Sequence, residues 1–162
     1  MNALYIICGT GVFALLAEVF SWKKWINYVS LSGLILATIL TILDWRSVSY
    51  RFHGMVYYDH VALAFTALIL LASIFWFWMS RDYFKGDEHT TDKSALVFFA
   101  IAGAMMMISF NNMAMLFLGI EVLSISLYVL AGSDKTNLFS TEASFKYFLM
   151  GSFSTGFLLF GI

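Results

Sequence analysis

MAMLFLGIEVLSISLYVLA, residues 113–131, is an apolar run with a single charge, Glu121, near its centre. A helix that crosses a bilayer needs about 20 predominantly apolar residues at ~1.5 Å of rise each, and this run supplies them. Reading outward in both directions finds the same pattern at 3–20, 27–44, 60–80, 94–110 and 143–162. Strands of a membrane barrel would alternate apolar and polar residues over about 10 positions, and none of these runs alternates. The expected fold is therefore all-α: a polytopic membrane protein of about six transmembrane helices, forming a single membrane domain over 1–162.

The composition agrees. Of 162 residues, 61% are hydrophobic and only 12% charged, against roughly 25% charged in an ordinary soluble domain. A water-soluble domain of ~150 residues hides only about 70% of its surface, so lipid is the solvent that fits. The net charge of −1 gives no reason to expect a nucleic-acid partner. The N-terminal MNALYIICGTG has no positive residue before its apolar stretch, which argues for a retained helix rather than a cleaved leader. The single cysteine, Cys8, sits in that stretch and reads as a small buried hydrophobe.

The connections carry the polar residues: SWKKW, WRSVSYRFHGMVYYD, RDYFKGDEHTTDK, Asn111-Asn112 and GSDKTNLFSTE. Trp22, Trp25, Tyr28, Trp45, Tyr57, Tyr58, Trp76, Trp78 and Tyr83 crowd the run ends, where amphipathic rings settle at headgroup level. Lys23, Lys24, Arg81, Lys85, Lys93 and Lys135 lie in the first, third and fifth connections, against Arg46 and Arg51 in the second and fourth. Basic residues favour the cytoplasmic side, so the odd-numbered loops are expected in the cytoplasm and the N-terminus outside.

Glu121 is the outlier. A charge centred in a spanning helix costs about 2.5–3.5 kcal/mol on insertion scales, and each neighbouring Leu, Ile or Phe returns only about 0.3–0.6. A carboxyl in hydrocarbon is most stable with its proton on, and beside a cation with its proton off. A group placed between those conditions exchanges protons. The plainer reading is a protonated glutamate serving as interhelical glue. Ser124 and Tyr128 follow on the same helical face; their hydroxyls could hold water beside the carboxyl or simply pack between helices. Lys146, about one turn inside the sixth run, is the second candidate, and it can also snorkel to the interface. A direct Glu121–Lys146 ion pair is not expected at their difference in depth, whereas Glu142 lies four residues before Lys146 and can pair with it. Ser144, Gly151, Ser152 and Thr155 form a small-residue stripe roughly opposite Lys146, the kind that admits close helix packing.

Other residues point to ordinary roles. Glu18 reads as interfacial. His53, His60 and His89 are scattered without ligand spacing, so no metal or haem site is expected. There is no phosphate-binding loop or dinucleotide fingerprint. Met105–107 reads as flexible packing.

The stretches FAIAGAMMMISFNNMAMLFLGIE, LFLGIEVLSISLYVLAG and EASFKYFLMGSFSTGFLLFGI resemble the subunit-N family of the bacterial respiratory NADH:quinone oxidoreductase, complex I. The resemblance covers nearly the whole chain and is most specific over 98–162. The related L and M subunits, and subunits of multi-component sodium/proton antiporters, share the Glu-bearing helix but typically follow the glutamate with a proline-containing stretch. Here VLSISLY follows Glu121 without proline, which is closer to N. The resemblance implies that Glu121 is the family's mid-membrane glutamate of the proton channel and Lys146 its sixth-helix lysine. It also implies a family fold of about fourteen helices, of which this chain is similar to the N-terminal part.

The leading expectation is thus a proton-translocating membrane-arm subunit in the bacterial cytoplasmic membrane, with other membrane subunits and lipid as partners. No cofactor is expected on this chain; NADH, flavin, iron–sulfur clusters and quinone would belong to the complex. The alternatives are a sodium/proton antiporter subunit, or a structural and assembly piece without an ion path of its own.

Overall fold

The computed structural model describes residues 2–20, 26–45, 50–52, 54–83 and 90–162. Trp22, Lys23, Lys24, Trp25, Arg46, His53, Lys85 and His89 lie outside the described residues. Six α-helices follow in order: α1 Asn2–Val19, α2 Ile26–Asp44, α3 His60–Tyr83, α4 Thr90–Ile108, α5 Met113–Ala131 and α6 Leu138–Gly161. Five are long and apolar enough to cross a bilayer. The sixth, α6, has 24 residues, length enough at ~1.5 Å each, and owes its lower apolarity to Ser140, Thr141, Glu142, Ser144, Lys146, Ser152 and Thr155.

Two helices start earlier than their apolar runs. The first turn of α4 begins at Thr90 rather than at Ser94, with Asp92 at the positive end of the helix dipole. The first turn of α6 begins at Leu138 rather than at Ala143, because the Asn137 side chain accepts the Phe139 amide at 3.0 Å and caps it. At the other end, α3 runs past Ser80 to Tyr83.

One element is not helical. Between α2 and α3 the chain forms an antiparallel hairpin, β1 Tyr50–Phe52 and β2 Val56–Tyr58, with Tyr50 opposite Tyr58. Gly54 turns it at φ +71°, a conformation that strains a residue with a Cβ. The hairpin is stitched to the α4–α5 turn. The Tyr57 amide donates to the Ser109 carbonyl at 2.8 Å, and the Asn111 amide to the Met55 carbonyl at 2.9 Å. The Asn111 side chain adds a bond to the Gly54 carbonyl at 2.9 Å. These bonds put the second and fourth connections on one face of the bundle. On the opposite face, Asp134 of the fifth connection feels the charge of Lys93 at the start of α4.

The core lies among α1–α4. Ile7, Leu34, Leu70, Phe98 and Met105 are fully buried there, and the Phe77 ring stacks on Phe98 at 5.2 Å between centroids. On its other side α4 meets α5 at a crossing of two glycines. A Cβ on Gly103 would stand 2.6 Å from the Leu123 nitrogen and 2.8 Å from the Gly119 carbonyl, so only hydrogen fits. Small residues at such crossings let helix backbones approach closely in lipid.

Candidate functional site

Because Gly119 and Leu123 face α4, the opposite face of α5 is free for α6. Glu121, Ser124 and Tyr128 share that face by helical spacing. Tyr128 fixes the α5–α6 joint. It is 8% exposed, and its ring meets the rings of Tyr147 and Phe148 edge-on at 4.8 and 5.8 Å. Its backbone carbonyl accepts the Ser144 hydroxyl at 2.7 Å. One turn on, Ser140 donates to the Ala131 carbonyl at 2.7 Å. The small stripe read in α6 is this contact face, where Ser144, Gly151 and Thr155 are half-buried. Ser152 departs from it. It lies on the outer side, in an open groove with Phe153, Gly156, Phe157 and Phe160.

Glu121 is half-buried, and among the described residues it has no hydrogen bond or ion pair. Lys146 is not its partner. The lysine amine pairs with the Glu142 carboxylate at 2.5 Å, the two side chains 68% and 57% exposed, on the side of α6 turned away from α5. The contact of Ser144 with Tyr128 sets the antiparallel register, which leaves Lys146 nearer the loop than Glu121 and on the far side of α6. The structure thus joins Tyr128 to Ser144 and Gly151 of the α6 stripe, and separately pairs Glu142 with Lys146, while Glu121 and Ser124 share the face of α5 that carries Tyr128.

The remaining candidates take ordinary roles. The His60 ring stands beside Trp45 at 5.5 Å. Among the described residues no cluster of His, Cys, Asp or Glu could hold a metal ion. Glu18 is half-buried near the end of α1, and Cys8 is a free, half-buried thiol. Met105 is a core residue, with Met106 and Met107 beside it half-buried. On the hairpin face, burial pushes the Tyr58 phenol above the ordinary tyrosine range, while the neighbouring Ser109 hydroxyl pulls it the other way.

Sequence reasoning missed the glycine crossing and the anchoring by Asn111. The first carries no periodic signal. The second was visible only as a polar pair, in which Asn111 ties the hairpin and Asn112 caps α5 through the Ala114 amide at 3.0 Å.

These features define a polytopic α-helical membrane protein with one carboxyl set within a tightly joined helix pair. Residues 110–162 match the family model described as NADH:quinone oxidoreductase/Mrp antiporter, transmembrane. Over its full length the chain is 40% identical to NADH-quinone oxidoreductase subunit N of Flavobacterium johnsoniae and covers 35% of it. It is 38% identical to subunit N of Cytophaga hutchinsonii, again over its whole length and 36% of that protein. Among solved structures, a chain of respiratory complex I from Thermus thermophilus with bound aureothin superposes with a TM-score of 0.82 at 26% identity, covering 98% of this chain and 35% of that one. The chain is thus similar over its whole length to subunit N of NADH-quinone oxidoreductase, and its residues 110–162 match the antiporter-type transmembrane model. It spans about a third of the length of the curated relatives it matches.

Proposed function

We propose that this chain is the N-terminal portion, one membrane domain, of a membrane-arm subunit that takes part in redox-coupled proton translocation. The observation that carries this is Glu121: a carboxyl in the middle of α5, turned toward α6, with no protein partner among the described residues. A charge so placed is costly unless it is used, paired or neutral. Glu121 is the group that takes and releases the proton. Lys146 is a charge partner or relay whose field reaches Glu121 across intervening water rather than by contact. Redox energy reaches this chain as a change in neighbouring charge, which alters how strongly the carboxyl holds its proton. NADH, flavin, iron–sulfur clusters and quinone belong to other subunits of the complex, which with lipid are its partners. The membrane is the bacterial cytoplasmic membrane, with the first, third and fifth loops inside.

Glu121→Gln in the complete subunit keeps shape and hydrogen bonding and removes the titratable group. Proton uptake driven by NADH in membrane vesicles falls at least tenfold, on the order of the effect of losing a positioned acid–base group, while the complex assembles normally. Normal pumping by an assembled Gln variant would leave Glu121 as interhelical glue. Orientation has its own test. In a Cys8→Ala background, a cysteine at Lys135 labels from the cytoplasm and one at Met55 from outside; the reverse pattern sinks the topology.

A further inference from the structure

The Tyr128 hydroxyl does not end where its backbone does. The carbonyl of Tyr128 is bonded to Ser144, whereas its hydroxyl lies against Gly151, so closely that a Cβ on Gly151 would fall on it. Between Ser144 and Gly151 the chain of α6 descends roughly 10 Å from the loop toward mid-membrane. The phenol therefore leans along the helix toward Glu121, the direction in which helical side chains point. Thr155 lies one turn beyond Gly151 on the same face of α6.

The hydroxyls around this point differ in how they are used. Ser126 donates to the Val122 carbonyl at 2.8 Å, closing back on its own helix. Thr155 donates to the Gly151 and Ser152 carbonyls at 3.2 Å each, which leaves its oxygen free to accept. Among the described residues, the hydroxyls of Ser124 and Tyr128 have no partner at all. Glu121, Ser124 and Tyr128 on one face of α5 and Thr155 on the facing side of α6 thus line the α5–α6 joint with four polar groups. Hydroxyl, hydroxyl, carboxyl and acceptor oxygen are the partners a bound water needs, two to four in number.

We propose that Tyr128 is a positioning residue that holds an ordered water against Glu121, and that the carboxyl takes its proton from this water. The inference rests on Glu121 being the proton carrier. The phenol hydroxyl donates a hydrogen bond to the water oxygen, Ser124 and Thr155 complete its cage, and the water donates to the unprotonated carboxylate. When a proton arrives at the water from the loop side, one O–H bond of the water breaks as the carboxyl gains its proton. The arriving proton restores the water, and Tyr128 keeps its own proton throughout. Gly151 is part of the device, since its lack of a side chain gives the phenol its place.

The test uses the complete subunit in the assembled complex. Tyr128→Phe keeps the ring contacts and removes only the hydroxyl. NADH-driven proton uptake per assembled complex falls about three- to tenfold, the effect of one hydrogen bond. In infrared difference spectra, the C=O stretch of the protonated Glu121 carboxyl, identified by its loss in Glu121→Gln, shifts in frequency. Gly151→Ala, which displaces the hydroxyl from the other side, moves both readouts in the same direction. An assembled Tyr128→Phe complex with unchanged uptake and an unshifted band overturns the inference, as does reduced assembly with uptake per complex and band both unchanged. If Glu121→Gln abolishes uptake while Tyr128→Phe is normal, only the water-holding role is lost. If Glu121→Gln itself pumps normally, the proton-carrier reading falls first.

Discussion

The α1–α4 group and the α5–α6 pair are built from the same kinds of residue and held by different means. In the first, large side chains interlock: Ile7, Leu34, Leu70, Phe98 and Met105 are fully buried. In the second, no residue of α6 is buried, and the helix is fixed by hydroxyl bonds to α5 carbonyls and by one tyrosine. Lipid is as apolar as leucine, so helices there associate by close packing and interhelical hydrogen bonds rather than by escape from water. The packed group supplies a frame. The hydrogen-bonded pair is the more open of the two, and Glu121, Glu142 and Lys146 all lie in it.

Emptying the frame is the most direct way to break this contrast. Phe98→Ala removes a fully buried ring that stacks on Phe77, and the cavity costs about 3–5 kcal/mol. Phe157→Ala removes an exposed ring of α6 and changes the stability of this chain by no more than about 0.5 kcal/mol. Unfolding of the two variants in mixed detergent measures the difference. Equal losses would mean that α6 is packed as tightly as α4.

The glycine crossing comes next. Gly103→Ala puts a Cβ against backbone atoms of α5, which cannot step aside unless the whole helix shifts. The expected cost is about 1–3 kcal/mol, and because α5 carries Glu121, proton uptake in the complete subunit should fall with it. Gly156→Ala, where a Cβ would meet nothing within 4 Å, is the control and should be silent in both measurements.

Most of the frame was legible in the sequence, because hydrophobic runs of bilayer length have few other readings. The boundaries that moved did so for a local reason. Residues 90–93 and 140–142 are polar stretches in the first turns of α4 and α6, and polarity at a helix start looks like loop until its cap is seen. Asn137 supplied that signal for α6. The hairpin was missed although YRFHGMVYY carries aromatic and β-branched residues around a glycine, since a short strand pair is stable only when something holds it. What holds it, the backbone of 109–111, is remote in sequence. For the site, residue type and spacing put Glu121, Ser124 and Tyr128 on one face. They could not show that Lys146 turns away to Glu142, nor that the phenol reaches Gly151, because both depend on how α6 rotates against α5.

The brace between hairpin and α5 is a smaller lever. Asn111→Ala removes the side-chain bond to Gly54 and leaves the backbone bond to Met55. A loss of about 1 kcal/mol is expected, together with faster amide exchange at Tyr57 and Asn111 and unchanged exchange in α6. Faster exchange throughout α6 would mean that the hairpin steadies the functional pair as well as the frame.

The smallest effect tests the opposite face, where the two regions touch through charge. Asp134 sits in the α5–α6 connection with its carboxylate accepting the Thr136 hydroxyl at 2.7 Å and the Thr136 amide at 3.2 Å. The Thr136 hydroxyl first, then that amide and the Asn137 amide, with Lys93 beyond them, hold the Asp134 carboxyl below the usual carboxylate range. A carboxyl depressed in the folded protein contributes stability above its unfolded pKa, and that contribution is lost as pH falls through the folded value. Thr136→Ala removes the largest cause and leaves the amides. The Asp134 midpoint, followed by carbon NMR of labelled aspartate in detergent, should therefore rise toward the ordinary range, so that the loop loosens at a higher pH than in the parent. Lys93→Gln should raise it less, since an exposed charge at a distance is screened by salt, and the lysine effect alone should fade as salt is added. A midpoint that moves more with Lys93 than with Thr136 would reverse the order. It would then be the charge between α4 and the α5–α6 loop, rather than the local turn, that ties the frame to the pair.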